Sequence, residues 1–334
     1  MTKFENSYIE QNKIIDKQNK NFKNMTLKAI DLFAGIGGIR LGFSEAFKDN
    51  IEFVFSSEID KYAQQTYYAN FGEVPHGDIT KIDEKNIPPH DIILAGFPCQ
   101  AFSIAGKRLG FEDTRGTLFF DVARIATYHK PKIIFLENVK GFVNHDKGNT
   151  FKVVKQTLED LGYKVFSQVL NAKDFGVPQN RERIYIVALL DNIKFEFPKN
   201  LENCDSIQSK LEKKVDEKYY YNNKPLYEKI KDDIVDKTSI YQWRRKYVRE
   251  NKSGVCPTLT ANMGTGGHNV PIIKDDKGIR KLTPRECANF QGFPSSFKFA
   301  NLSDGQLYKQ CGNSVVVAVI KEIAESINNS IQGR

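Results

Sequence analysis

Cys99 closes the run Gly96-Phe97-Pro98-Cys99, where a glycine and a proline break an apolar strand and leave a thiol on the loop that follows. Packing cysteines lie inside strands more often than after them. A free thiol has a pKa of about 8.5, so Cys99 reacts as a thiolate only beside a positive or hydrogen-bonding group. Glu137 ends a second apolar run, Ile133-Ile134-Phe135-Leu136, where a buried carboxylate needs a partner. Arg181 and Arg183, in Gln179-Asn180-Arg181-Glu182-Arg183, face the same side of an extended chain and can hold an anionic intermediate or a phosphate. A nucleophile, an acid and two cations are the parts of a covalent addition. Singly, each also reads as an inert thiol, a structural ion pair or a solvated charge.

A second group suits a nucleoside. Phe33-Ala34-Gly35-Ile36-Gly37-Gly38 puts glycines directly after the first apolar run and before a helical segment, where backbone turns tightly and approaches a ligand. Glu58 follows the next apolar run, placed to accept hydrogen bonds from ribose hydroxyls. The dinucleotide pattern requires a third small residue where this chain has Arg40, which weakens a nicotinamide dehydrogenase reading. Asp78, in Gly77-Asp78-Ile79, reads equally as a ligand for an adenine amine and as a helix N-cap.

The elements that must position these residues are short apolar runs at 28–33, 52–56, 91–95, 132–136 and 183–188, separated by amphipathic helical stretches. That spacing predicts an α/β fold, a doubly wound, mostly parallel sheet whose ligands bind at the carboxyl ends of its strands. Residues 1–25, rich in Lys, Asn and Gln, read as an extension. Residues 26–195 plus 312–334 read as a discontinuous catalytic domain, closed by a helix from Gly312 to Ile327 on the spacing of Val315, Val316, Val319, Ile320, Ile323 and Ile327. Residues 196–311 read as a smaller recognition domain and hinge.

Charge sits in that smaller domain: between Glu196 and Arg285 there are 19 Lys and Arg against 13 Asp and Glu, most of the whole chain's +8. Such a surplus favours a polyanionic partner. The 5 cysteines form no CxxC pair, which fits neither a disulfide framework nor a zinc site and points to a reducing cytoplasm. No apolar stretch suits a membrane span. No metal is expected.

The ordered motifs Asp31-Leu-Phe-Ala-Gly35-Ile-Gly-Gly38, Gly96-Phe-Pro-Cys-Gln100, Glu137-Asn-Val139, Gln179-x-Arg-x-Arg183 and Gly312-Asn-Ser314 resemble the bacterial DNA cytosine-5 methyltransferases of type II restriction-modification systems. The match extends through 106–120 and 285–294. The resemblance implies a fold of the S-adenosylmethionine-dependent methyltransferase type, with S-adenosyl-L-methionine as methyl donor and double-stranded DNA as substrate. It makes Cys99 the nucleophile on carbon-6 of a flipped cytosine, Glu137 the group that protonates the ring nitrogen, and Arg181 and Arg183 the stabilising cations. It assigns the cofactor to Phe33, Ala34, Gly35, Gly37, Gly38, Glu58, Ile59, Asp78, Ile79, Gly96, Pro98, Asn313 and Ser314. Ile59 stands where relatives often carry an aromatic, so one stacking surface is reduced.

For DNA, Gln100, Ser103 and Arg115 lie on a glycine-containing segment suited to a lid. Arg244 and Arg245 sit among aromatics in 241–252, suited to a groove that follows phosphates. Thr258, Thr260, Asn262, Gly266 and Gly267 resemble recognition loops whose short polar side chains read base edges. A monomer, and a cognate endonuclease acting on the same site without a stable complex, are the expected associations. A transfer-RNA cytosine-5 methyltransferase on the same scaffold and a non-catalytic DNA-binding protein remain alternatives.

Overall fold

The computed structural model describes residues 26–98, 118–190, 193–264 and 270–333. Its largest sheet is assembled from β1 (Leu27–Leu32), β2 (Ile51–Ser57), β3 (Ile92–Gly96), β4 (Ile133–Val139), β5 (Lys164–Asn171) and β7 (Glu182–Leu189), in the order β2-β1-β3-β4-β7-β5. Ile92-Ile-Leu-Ala95 and Ile133-Ile-Phe-Leu136 are buried along their whole length, as strands covered on both faces must be. Helices α1 (Gly38–Phe47), α2 (Lys61–Phe71), α3 (Leu118–His129) and α4 (Asn149–Asp160) alternate with these strands.

The first four strands run parallel. The 183–188 strand departs from that pattern: β7 is inserted between β4 and β5 and runs antiparallel to both. Its first residues therefore lie where β4 ends, with Arg183 opposite Val139 and Tyr185 opposite Glu137. A parallel β7 would have carried these arginines to the far edge of the sheet. The reversal is what puts them on the ligand side.

The chain's end closes the core. The segment expected as one helix from Gly312 is two, α6 (Asp304–Asn313) and α7 (Val317–Gln332), joined by extended residues 314–316. Val315 and Val316 are buried in the core but precede α7. α7 packs on α1 so closely that a Cβ on Gly42 would meet Ile320 at 2.6 Å.

The smaller region, aperiodic in sequence, holds an antiparallel sheet of β8 (Ile240–Trp243), β9 (Val248–Asn251), β11 (Ile272–Lys274) and β12 (Ile279–Lys281), in the order β12-β11-β8-β9. A parallel pair, β6 (Gln179–Asn180) with β10 (Cys256–Pro257), ties it to the side that holds the large sheet. One apolar cluster runs from Ile36 and Ala63 through Leu259 and Met263 to Phe290 and Tyr308. The two regions thus share a core.

α5 (Pro284–Asn289) starts with a capping box in which Thr283 and Glu286 satisfy each other's backbone amides. Glu286, fully buried, also takes two hydrogen bonds of 2.8 Å from the Arg280 guanidinium, whose Nε reaches Asp275 at 2.7 Å. Among the described residues, no helix is long and apolar enough to cross a membrane, and no group of three or more His, Cys, Asp or Glu could hold a metal ion.

Removing one partner of a buried bidentate pair strands the other's charge, so Arg280→Met is expected to cost about 3–5 kcal/mol. Chemical denaturation measures it, and a loss under about 1 kcal/mol, as at exposed pairs, would mean that the pair does not anchor this region.

Candidate active site

The carboxyl ends of β1 to β4 open into a cavity of about 590 Å³. Gly96, Phe97 and Pro98 form one wall, and Glu137 stands beside them because β3 and β4 pair Gly96 with Glu137. A Cβ on Gly96 would meet Ile39 at 3.2 Å and Glu137 Oε2 at 3.6 Å, so glycine keeps the space before the carboxylate open. Asn138, also buried, donates to the Phe97 carbonyl at 2.9 Å and so fastens the chain leading to Cys99 onto β4. Sequence reasoning assigned Asn138 no part; its signal was a polar residue beside a buried carboxylate. Cys99 itself, with Gln100, Ser103 and Arg115, lies outside the described residues, as do Gly266, Gly267 and residues 1–25.

Glu137 is almost wholly buried, and Arg183 Nε meets its Oε1 at 3.1 Å. Burial raises the Glu137 pKa, and the Arg183 and Arg181 cations draw it only part of the way back. The result is a carboxyl group that keeps its proton to higher pH than an ordinary glutamate.

The two arginines are not equivalent. Arg183 serves Glu137, whereas Arg181 donates to three backbone carbonyls, Leu259 at 2.7 Å, Gly312 at 3.1 Å and Ser314 at 2.5 Å. Burial first, then the Arg183 cation, lower the Arg181 pKa from its ordinary value, and Glu137 works against both. Its buried Nε has no hydrogen-bond partner among the described atoms, and the residue lines the cavity. Beside it, Gln179 donates to the Phe290 carbonyl at 2.7 Å and accepts from the Leu259 amide at 3.2 Å. The strand-like 179–183 segment is thus a latch that holds residues 256–260 and the carboxyl-terminal segment against the sheet. Gly312 shows how tight the latch is, since a Cβ there would strike the Thr260 backbone.

At the other end of the cavity stand Phe33, Gly35, Glu58, Ile59, Asp78 and Ile79. Glu58 Oε2 accepts from the Gly35 amide and Oε1 from the Asp60 amide, both at 2.7 Å. Burial raises its pKa while these amides oppose the rise. Ile59 is 72% exposed, an apolar surface turned to the opening. Phe33 sits at φ 55°, a conformation that costs a non-glycine residue about 1–3 kcal/mol. Asp78 caps a short helix through the Thr80 amide at 3.1 Å, and it also lines the cavity.

Ala34, Gly37 and Gly38 are not among the lining residues. Gly37, at φ 84°, turns the chain against the Phe71 ring, and a Cβ on Gly38 would meet Val315 at 2.8 Å and Ser314 Oγ at 2.9 Å, so both glycines serve packing. Asn313 and Ser314 do line the cavity, brought there from the far end of the chain. Arg40 is a buttress: its guanidinium lies over the rings of Phe53 and Phe71, 4.5 and 4.4 Å from their centroids, and bonds to Glu73 at 2.5 Å.

Of the proposed DNA residues, Thr260 reaches the cavity, between Leu259 and Ala261. Thr258 donates to the Asn180 carbonyl at 2.5 Å, and Thr260 to Asn262 Oδ1 at 2.8 Å. Arg244 and Arg245 are exposed on the turn of the β8–β9 hairpin and do not line the cavity.

The family model of the C-5 cytosine-specific DNA methylases matches residues 27–329. Among curated proteins, the type II methyltransferase M.Bsp6I of Bacillus sp. (strain RFL6) is 51% identical over 315 residues, covering 91% of this chain and 99% of its own. The type II methyltransferase M.HhaI of Haemophilus parahaemolyticus is 44% identical over 326 residues, covering 91% of this chain and 95% of its own. In fold, the crystal structure of the S. pombe Dnmt2 methyltransferase superposes with a TM-score of 0.71 at 22% identity, over 92% of this chain and 99% of that one.

Below the glycine loop, burial raises the Asp31 carboxyl to about 7 even though Arg40 and the Tyr67 hydroxyl pull it down. A folded-state pKa above the unfolded one, near 3.9, gives a contribution present in full below about pH 4 and lost as pH rises toward about 7. The wild type is therefore expected to lose stability relative to Asp31→Asn across that window. Melting temperatures of the two proteins from pH 4 to pH 8 check this, and parallel curves would refute it.

Proposed function

The chain belongs to the C-5 cytosine-specific DNA methylases, and on that premise we propose that it flips a cytosine out of a short duplex sequence and methylates carbon-5 through a covalent adduct with Cys99. It is a DNA (cytosine-5-)-methyltransferase of the restriction-modification kind. The observation that carries the finer reading is the sealed Glu137–Arg183 pair facing Gly96, Phe97 and Pro98, the residues that lead into Cys99.

A cytosine stacked in a duplex cannot offer carbon-6 to a thiolate, so the base must leave the helix. Glu137, protonated, donates to the ring nitrogen beside the exocyclic amine, and electron density withdrawn there opens carbon-6 to the Cys99 thiolate. The Cys99 sulfur–carbon bond leaves carbon-5 electron-rich and able to take a methyl group. Loss of the carbon-5 proton to solvent then expels Cys99 as a thiolate, and return of the ring-nitrogen proton to Glu137 restores the ring. Arg183 holds Glu137 in place and sets its acidity. Arg181 keeps the recognition segment and the cavity wall in register, and its Nε is available to a base oxygen.

The donor is S-adenosyl-L-methionine, which when bound supplies an electrophilic methyl on a sulfonium. The residues fit it: the cavity has nucleoside dimensions, Glu58 is a half-buried carboxylate steadied by two amides, and Phe33 and Ile59 offer apolar surface for a base. Asp78 and Ile79 flank that base, and Asn313 and Ser314 close the far wall. Arg244 and Arg245 follow the DNA backbone, while Thr258, Thr260 and Asn262, with Gly266 and Gly267, form the reading segment. Protection of host DNA against an endonuclease acting on the same site is the role that this activity suits. The curated relatives, named as type II methyltransferases, favour DNA over transfer RNA as substrate.

With labelled donor, duplex DNA is expected to accept methyl groups and transfer RNA is not. Cys99→Ala should abolish incorporation, and Glu137→Gln should slow it by about 10²–10⁴-fold. A duplex with 5-fluorocytosine at the target cannot lose fluorine as a cation, so wild-type protein should remain attached to it through Cys99, visible as a mass shift on a Cys99 peptide. Methylation persisting in Cys99→Ala would overturn the reading.

A further inference from the structure

The cavity wall at Asp78 and Ile79 is irregular chain, and something other than the sheet must hold it still. Between the Ser57–His76 bridge and β3, residues 77–90 form two single-turn helices and no strand, so no ladder fixes them. Asp78 and Asp83 cap those turns through the Thr80 and Lys85 amides, which shapes the segment without placing it. Ile79 and Ile87 share an apolar cluster with Phe119, Val122 and Ile125 of α3. Apolar contact is non-directional and does not by itself set a register.

Arg124, on α3, supplies the direction. Its Nη2 donates to the Ile79 carbonyl at 2.7 Å, Nη1 to Glu84 Oε2 at 2.8 Å, and Nε to Asp121 Oδ1, one turn back on the same helix, at 3.0 Å. The planar guanidinium holds these donors in a rigid fork, so three acceptors are fixed relative to one another. His129, at the end of α3, donates from Nε2 to the Glu84 carbonyl at 2.9 Å. The Ile79 and Glu84 contacts fall on successive turns of the segment, and together they set its orientation as well as its position.

The same cation keeps three carboxylates together. Burial raises the Asp121 pKa, Arg124 draws it down, and the nearby Asp78 charge raises it again. Asp78, Glu84 and Asp121 are thus crowded into one place, and Arg124 bonds to two of them. Without it they repel, and the chain that must yield is the irregular one carrying Asp78. Lys81 Nζ, 3.6 Å from Asp78, is too exposed to take over. Arg124 does not line the cavity, but what it grips does: Asp78 and Ile79 are lining residues, and so is Leu118 at the start of α3.

We propose that Arg124 is a positioning residue for the donor's base: from outside the pocket, its grip on the Ile79 carbonyl and Glu84 holds Asp78 and Ile79 as a fixed polar edge that recognises adenine. The proposal rests on the reading of the cavity as an S-adenosylmethionine site. It gives α3 a part in binding that none of its side chains but Leu118 takes by contact.

Isothermal titration of the full chain with S-adenosylhomocysteine and with S-inosylhomocysteine, which has a 6-oxo group where adenine has its amine, tests it without turnover. Wild type should prefer the adenine ligand by about tenfold or more. In Arg124→Met the two should bind within about threefold of each other, and Arg124→Lys, which restores the cation without the fork, should lie between. With saturating DNA, Arg124→Met should raise the donor KM about tenfold and keep kcat within about twofold. An Arg124→Met variant that retains the wild-type preference, whether both ligands weaken together or neither does, overturns the proposal. Wild type that binds both ligands alike would instead remove the base from Asp78, and wild type that binds neither would remove the cofactor reading itself.

Discussion

A carboxyl group sealed at the end of β4 is the constraint on which the site depends. Glu137 could not stay there uncompensated, because an isolated buried charge costs far more than a domain can sustain. The compensation comes from Arg183, and Arg183 is available only because β7 runs antiparallel to β4 and starts where β4 stops. Strand direction, a property of the whole sheet, thus sets the acidity of one side chain. The same register brings Gly96 opposite Glu137 and leaves free the volume in which a base can sit.

The neighbouring arginine shows how the two regions of the chain are made one object. Arg181 reaches carbonyls 78, 131 and 133 residues away, and Gln179 bridges the same segments. Both are buried, so their bonds form in a low dielectric, where an unmet partner is costly. A segment fixed in this way cannot drift relative to Glu137. Residues 256–262 are therefore mechanically coupled to the segment that carries Arg181 and Arg183.

Much of this was legible in the sequence, and the rest failed for identifiable reasons. The five apolar runs each became a strand, and in β3, β4 and β7 four to six consecutive apolar residues are buried on both faces, a pattern that admits little else. β5 escaped notice because it is an edge strand with only Leu170 fully buried. The small sheet escaped because its strands have three or four residues, too few for periodicity to register. The motif residues Glu58, Glu137 and Arg183 converge as their types suggested. Arg181 and Arg183 looked alike because spacing fixes a side, not a partner. Gly37, Gly38 and Arg40 sit on the expected loop and are also tightly packed there, against Phe71, Val315 and Phe53, a part that a glycine pattern alone does not reveal.

The protonation of Glu137 is the point on which the account turns, and it can be observed directly. Carbon-13 NMR of glutamate-labelled protein, with the Glu137 resonance assigned by its absence in Glu137→Gln, gives its titration curve. A midpoint above the ordinary glutamate value of about 4.3, moving higher still in Arg183→Met, is predicted. A midpoint at or below that value, indifferent to the loss of Arg183, would contradict it.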